Sequence, residues 1–131
     1  AKRKPPFEYV LGMARFHQGN WAESARLLSA VADLLDQASA GTAWMTAGQS
    51  LLKDPSLAEQ EKNWTKIIQA ISQREDGGKY LRRLGDEAYR EKKLERAQEV
   101  FRQAVEHRQP DQPWASLGLG WTLFDLAKLD E

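Results

Sequence analysis

Apolar residues recur at helical spacing along the chain, and no segment alternates apolar and polar residues as a half-buried strand does. In the segment YLRRLGDEAYREKKLERAQEVFRQA (residues 80–104), one apolar stripe follows Leu81, Leu84 and Ala88. A second stripe runs through residues 94–105. The spacing therefore predicts an all-α protein.

Turn-forming residues divide this pattern into seven predicted helices. Gly19 suits a left-handed helix end, Gly41 and Thr42 combine a C-terminal glycine with a threonine N-cap, and Ser56 with Glu59 forms a capping box. REDGG and QPDQP mark two further breaks. The predicted helices are residues 7–18, 21–38, 42–53, 57–73, 79–91, 94–108 and 113–126.

Glycines recur within alternate predicted helices at a nearly constant interval. Gly12, Gly48, Gly85 and Gly120 are separated by 36, 37 and 35 positions, and Gly118 is an alternative to the last of them. A glycine inside a helix costs about 1 kcal/mol relative to alanine, so its recurrence indicates a close helix contact. The period indicates a solenoid built from pairs of helices.

The segment of residues 80–104 resembles a tetratricopeptide repeat. The matching positions are Leu81, Leu84, Gly85, Tyr89 (one place late), Ala97, Phe101 and Ala104. The first helix pair matches in Gly12 but has Ser24 where alanine is usual, and the second matches in Trp44 and Gly48. The last segment, WASLGLGWTLFDLAKLDE, matches in Trp114, Leu117, Gly118 and Trp121, whereas its KLDE end fits better if Gly120 sets the phase, so both registers stay open.

This resemblance implies a right-handed superhelix of antiparallel helix pairs with about three and a half repeats. The repeats are expected near residues 5–40, 41–76 and 77–111, with a partial repeat at 112–131. The chain is expected to be a fragment of a longer array. Its last helix, carrying Trp121 and Phe124, is expected to expose an apolar face and to self-associate.

The resemblance also implies that the chain binds a partner protein in a groove lined by the first helix of each pair. The expected groove residues are Tyr9, Met13, Phe16, His17, Met45, Gln49, Lys79, Arg82, Arg83, Asp86 and Arg90. This groove changes from apolar to basic, because residues 79–96 contain seven Lys or Arg and four Asp or Glu. The alternatives are burial of the aromatic residues against a neighbouring helix, and a basic face that is merely solvated.

Some members of this family clamp a C-terminal carboxylate with lysine and asparagine side chains. Lys79 and Arg83 match the part of the third repeat in that clamp, but Tyr9, Met13 and Thr46 stand where the other clamp residues are expected. The clamp is incomplete, so this ligand is not predicted.

Composition argues against several other classes of function. The 131 residues include 19 basic and 19 acidic side chains, so no excess of positive charge favours nucleic acid. There is no cysteine, and the two histidines, His17 and His107, form no metal-binding motif. No apolar run approaches the length of a membrane span. We expect no enzymatic activity, no cofactor, no metal and no membrane insertion.

Three readings of function remain open. The preferred one is a protein interaction scaffold that binds through the groove or by lateral docking. A periplasmic arm of a bacterial envelope export machine is a second, and the lack of cysteine slightly favours that compartment over the cytoplasm. An RNA-binding helical repeat of similar period is the third, and zero net charge disfavours it.

Overall fold

Seven α-helices account for most of the protein in a computed structural model that describes residues 5–56, 60–107 and 112–129. In chain order they are α1 (Pro5–His17), α2 (Trp21–Val31), α3 (Gln37–Lys53), α4 (Glu61–Ser72), α5 (Gly77–Arg90), α6 (Leu94–Glu106) and α7 (Gln112–Leu129). A 3-10 turn, Ala32–Leu34, follows α2. No strand occurs in these three ranges, and the all-α prediction is confirmed.

The helices are grouped into two compact units, whose boundary lies between Ile67 and Ile68 within α4. In the first unit α2 packs against both α1 and α3, and α1 also contacts α3. In the second unit α6 packs against both α5 and α7, and α5 also contacts α7. Each unit thus contains three consecutive helices that form two successive hairpins.

A glycine and a serine bring α1 and α2 together. A Cβ atom placed on Gly12 would lie 2.6 Å from Cδ2 of Leu28, so only glycine allows this approach. Ser24 is buried, and its hydroxyl donates a hydrogen bond of 2.9 Å to the carbonyl oxygen of Gly12. The serine that departs from the usual alanine therefore adds a satisfied polar contact at the same position.

In the second unit, Phe101 packs against helix glycines, as Leu28 packs against Gly12 in the first unit. Its ring is 1% exposed, and a Cβ atom on Gly85 of α5 would lie 2.6 Å from Cδ1 of that ring. A Cβ atom on Gly118 of α7 would lie 2.5 Å from its Cε1 atom. One ring thus fills the space that two glycines leave on two helices. Ala97 and Ala104 are buried on the same helix as Phe101.

Gly118, rather than Gly120, is therefore the packing glycine of α7. A Cβ atom on Gly120 would meet nothing within 4 Å, and that residue is exposed. The interval measured from Gly85 is 33 positions instead of 35. The regular spacing of the glycines favoured Gly120. In the structure, however, it is Gly118 that lies against the Phe101 ring.

The break between α2 and α3 lies earlier than the sequence predicted. Leu35 and Asp36 are extended, and α3 begins at Gln37, so the predicted break at residues 40–42 is wrong. The carboxylate of Asp36 accepts a hydrogen bond of 2.9 Å from the backbone N–H of Ser39 and caps the helix. Gly41 is buried inside α3 instead of ending the preceding helix.

Replacement of Asp36 by alanine should lower the melting temperature, whereas replacement of Thr42 should not, because only Asp36 caps α3. The hydrogen bonds from Ser39 lower the pKa of the Asp36 carboxyl group. Its contribution to stability is therefore complete above the ordinary aspartate pKa and is lost as the pH falls through the lowered value. Thermal melts of Asp36→Ala and wild type should converge in acid, and equal melts at neutral pH would contradict the cap.

The turns of the two hairpins α1–α2 and α5–α6 contain a residue in the left-handed region. Gly19 has a φ of 78°, as the sequence predicted for the end of the first helix. In the second turn, before α6, the left-handed residue is Lys92, with a φ of 60°. A residue with a side chain is less favourable there than glycine, so the second turn is held by its hairpin contacts.

Side-chain contacts hold the connection between α4 and α5. Arg74 pairs with Asp76 at 2.9 Å, and Nε2 of His107 lies 2.8 Å from the carbonyl oxygen of Arg74. Burial would raise the pKa of the Asp76 carboxyl group, but the hydrogen bond and charge of Arg74 outweigh burial and lower it. A break separates α4, which ends at Ser72, from α5, which starts at Gly77, two residues before the start predicted from REDGG. The predicted capping box includes Glu59, which lies outside the described residues.

Candidate functional site

A cleft of about 270 Å³ opens in the second unit between α5 and α7. Phe101 of α6 reaches the cleft between these helices, because Gly85 and Gly118 leave room for its ring. The floor of the cleft is thus the contact of Phe101 with Gly85 and Gly118. Its lining residues are Arg82, Asp86, Tyr89, Arg90, Phe101, Trp114, Leu117, Gly118 and Trp121.

Two tryptophans of α7 form the apolar wall of this cleft. Trp114 is 64% exposed and Trp121 is 55% exposed, and Leu117 lies between them along the helix. The ring of Trp121 also meets Phe124 edge-on, with centroids 6.2 Å apart. Large exposed aromatic side chains in a concave site offer contact area with few rotatable bonds, which is typical of binding anchors.

The opposite wall carries charges of both signs. Arg82 pairs with Asp86 at 3.0 Å, and Arg90 pairs with Glu87 at 2.7 Å. Both pairs are partly exposed, so they contribute little to stability and can exchange partners. This wall therefore offers hydrogen-bond donors and acceptors beside the aromatic wall.

A hydrogen bond joins the two walls. The hydroxyl of Tyr89 on α5 donates to the carboxylate of Asp125 on α7. This hydrogen bond raises the pKa of the Tyr89 hydroxyl, and burial and the charge of Asp125 act in the same direction. The bond fixes the separation of the helices at one end of the cleft.

A second depression, of about 700 Å³, adjoins the same end. It is lined by Tyr89, Arg90, Lys92, Leu94, Asp125, Lys128 and Leu129. Because Tyr89 and Arg90 line both spaces, a ligand longer than one side chain can extend from the cleft into this depression.

The structure brings only some of the groove residues expected on α5 into the cleft. Arg82, Asp86 and Arg90 line it. Lys79 and Arg83 are exposed but are not part of its lining, and Nζ of Lys79 lies 5.1 Å from the centroid of the Tyr80 ring. The basic charge of α5 is thus divided between the cleft and another face.

The expected groove residues of the first unit lie on α1 and α3, which contact each other. Phe16 contacts His17 and Trp21 edge-on, with centroids 5.7 Å and 5.3 Å apart. His17 is exposed, whereas the other members of the set are half-buried. The half-buried members are Tyr9, Met13, Phe16, Met45 and Gln49. Each of these five side chains is thus partly packed against its neighbours and partly accessible to solvent.

Sequence reasoning missed the aromatic wall of the cleft. Trp114, Leu117 and Trp121 follow one another at i, i+3 and i+7, so they share one side of a helix, as Arg82, Asp86 and Arg90 do on α5 at i, i+4 and i+8. That spacing places the three residues on one side of α7. It does not show that this side faces α5, because the choice between Gly118 and Gly120 sets the phase of α7.

Within the described residues, no cluster of three or more His, Cys, Asp or Glu side chains is suited to hold a metal ion. Over the same residues, no helix is both long and apolar enough to cross a membrane.

The fold and cleft define a protein built from repeated helical hairpins. The tetratricopeptide repeat family model matches residues 9–72 and 82–131, and the chain belongs to this family. Its helical-repeat fold is that expected from the sequence. No curated protein and no solved structure matches the chain significantly. Tetratricopeptide repeats generally mediate protein–protein interactions and are typically scaffolds without enzymatic activity.

Proposed function

We propose that this chain is a scaffold that binds a partner protein, and that the cleft between α5 and α7 receives an apolar side chain of the partner. The observation that carries the proposal is the pair of exposed tryptophans, Trp114 and Trp121, facing a wall of charged residues across a cleft. Tryptophan, tyrosine and arginine are the residues that most often dominate protein interfaces, and all three line this site.

The polar wall fits a peptide better than a uniformly charged polymer. A peptide backbone presents both donors and acceptors, and the wall offers arginine donors at Arg82 and Arg90 and a carboxylate acceptor at Asp86. The charges of the chain are balanced overall, which gives no general attraction for phosphate. The bound segment would therefore combine a large apolar side chain with an accessible backbone.

The face formed by α1 and α3 is proposed as a second contact. It carries the aromatic and methionine side chains of the first unit, including Tyr9, Met13 and Met45, which remain partly accessible. Methionine and aromatic side chains adapt to varied apolar surfaces. A partner that uses both surfaces would gain affinity from two separate anchoring sites. In this proposal the chain catalyses no reaction.

Truncation of Trp114 to alanine should weaken partner binding by about 2 kcal/mol or more, which is a roughly 30-fold rise in Kd. Peptides for the measurement would be selected from a displayed random library on the wild-type protein and then titrated calorimetrically. Phe7→Ala is the matched control, because Phe7 is an aromatic residue 56% exposed outside the cleft. If no selected peptide distinguishes Trp114→Ala from wild type, the cleft is not the site.

A further inference from the structure

Lys92 occupies a position of the α5–α6 turn where glycine would be more stable. Its φ is 60°, and Gly19 in the α1–α2 turn has a φ of 78°. The N–H of Gly19 donates to the carbonyl oxygen of Phe16 at 3.1 Å. The N–H of Lys92 donates in the same way to the carbonyl oxygen of Tyr89 at 3.0 Å. Since the first turn makes this backbone with glycine, the lysine is an unfavourable choice for the turn itself, which is typical of a functional position.

The exposed side chain of Lys92 lines the depression of about 700 Å³ that adjoins the cleft. Among the described lining residues, Arg90, Lys92 and Lys128 are cationic, and Asp125 is acidic. The carboxylate of Asp125 already accepts a hydrogen bond from the hydroxyl of Tyr89. The lining therefore has an excess of two positive charges, whereas the chain as a whole has none.

Arg90 connects the depression with the cleft, because it lines both. Its side chain is 69% exposed, and its Nη2 atom pairs with Oε2 of Glu87 at 2.7 Å. A guanidinium group has five N–H donors, so this pair leaves donors for a second carboxylate. Glu87 nevertheless compensates part of the charge of Arg90, and the attraction for an anion therefore depends mainly on the two lysines.

We propose that this depression binds the carboxylate of an aspartate or glutamate side chain in the partner segment whose apolar side chain occupies the cleft. The inference rests on the proposed function, because it assigns a second contact to the same bound segment. Lys92 and Arg90 of the α5–α6 hairpin contact the carboxylate, and Lys128 of α7 adds to the attraction. The positive lining and the negative side chain are complementary, which favours this partner over a basic or neutral one.

The rest of the lining suits an amino-acid side chain. Tyr89, Leu94 and Leu129 complete the depression, and they offer apolar surface beside the cations. The methylene groups of aspartate and glutamate can pack on this surface while the carboxylate reaches the lysines. A polymer with a charge at every unit would gain little from it.

The geometry also gives the spacing of the two side chains in the partner. About ten residues of α7 separate the middle of the cleft lining from the middle of the depression lining, which is roughly 15 Å at the helical rise per residue. An extended chain advances about 3.3–3.6 Å per residue. The acidic residue should therefore stand about four positions from the apolar one.

Replacement of Lys92 by glycine should stabilise the fold and weaken binding. Glycine relieves the left-handed strain, so the melting temperature should rise. The Kd for an acidic peptide selected from the displayed library should rise about fivefold at low salt, because one cation is lost from an exposed contact. Lys92→Arg keeps the charge and should bind like wild type. Arg102→Gln is the matched control, because it removes a positive charge from an exposed position of α6 outside the depression.

Exchange of the acidic residue of the peptide for its amide identifies the contact. This change should weaken binding to wild type about fivefold and should not weaken binding to Lys92→Gly further, because the two changes remove the same contact. Losses that simply multiply would overturn the acidic site. Selected peptides that lack an acidic residue near the apolar one, or a Lys92→Gly variant that binds as tightly as wild type, would overturn it as well.

Trp114→Ala separates this proposal from the proposed function. If Trp114→Ala weakens binding but the peptide charge is not coupled to Lys92, the cleft is the site and the acidic contact is wrong. If Trp114→Ala binds every selected peptide like wild type, both proposals fail. The expected result is that both Trp114→Ala and Lys92→Gly weaken binding, and that only Lys92→Gly abolishes the preference for the acidic peptide over its amide.

Discussion

Replacement of Phe101 by alanine is expected to lower the free energy of unfolding by about 3–5 kcal/mol. The ring is 1% exposed and occupies the space left by Gly85 on α5 and Gly118 on α7. Neither glycine has a side chain that could move into the vacated volume, so the cavity cannot collapse without a shift of both helices. The change should be measured by chemical denaturation.

Phe124→Ala is the matched control for Phe101→Ala. Both substitutions remove the same ring, but Phe124 of α7 is 52% exposed. Its loss should cost well under 1 kcal/mol. Similar losses for the two variants would show that Phe101 is not the residue that holds α5, α6 and α7 together.

Alanine at Gly118 and alanine at Gly120 should have effects of opposite sign. A Cβ atom on Gly118 would lie 2.5 Å from the fully buried Phe101 ring, so Gly118→Ala should cost about 1–3 kcal/mol. A Cβ atom on Gly120 meets nothing, so Gly120→Ala should gain up to about 1 kcal/mol from helix propensity.

The comparison of these two alanine variants tests the phase of α7. Denaturant titrations of both variants and wild type measure the change in the free energy of unfolding. If Gly118→Ala is the stabilised variant, the helix is rotated and the cleft has a different lining.

The hairpin of α5 and α6 was the most predictable part of the fold. Its apolar residues Leu81, Leu84 and Phe101 fall at helical spacing and are buried. In the sequence, the small residues Gly85 and Ala97 indicate a close contact between α5 and α6. In the structure, the atoms nearest to a Cβ position on Gly85 belong to Phe101. Helical periodicity identifies which face is buried, but it does not identify which side chain of the next helix fills the space.

The start of α3 was less predictable, because the local cap signal in the sequence gave the wrong position. Gly41 and Thr42 form that signal, whereas in the structure the carboxylate of Asp36 caps α3 by accepting a hydrogen bond from the backbone N–H of Ser39. The side chains around Gly41 are buried within α3, so tertiary packing continued the helix through the glycine. Local capping preferences differ by only about 1 kcal/mol, and burial of several apolar residues outweighs them.

The candidate site was also only partly predictable from the sequence. The charged wall on α5 could be predicted, because its residues lie at regular spacing on a helix of clear phase. The tryptophan wall could not, because α7 is apolar on every side and its sequence does not indicate which side faces α5. The contact of Gly118 with Phe101 shows that orientation, in which Trp114 lines the cleft.

The indole N–H signals of the tryptophans test the proposed binding site most directly. A ¹⁵N-labelled sample would be titrated with a selected peptide and followed by two-dimensional nuclear magnetic resonance. Trp114 and Trp121 should shift on binding, while the buried Trp44 and Trp64 should stay in place as internal references. A peptide that binds to saturation and leaves the signals of Trp114 and Trp121 unmoved would contradict binding in the cleft.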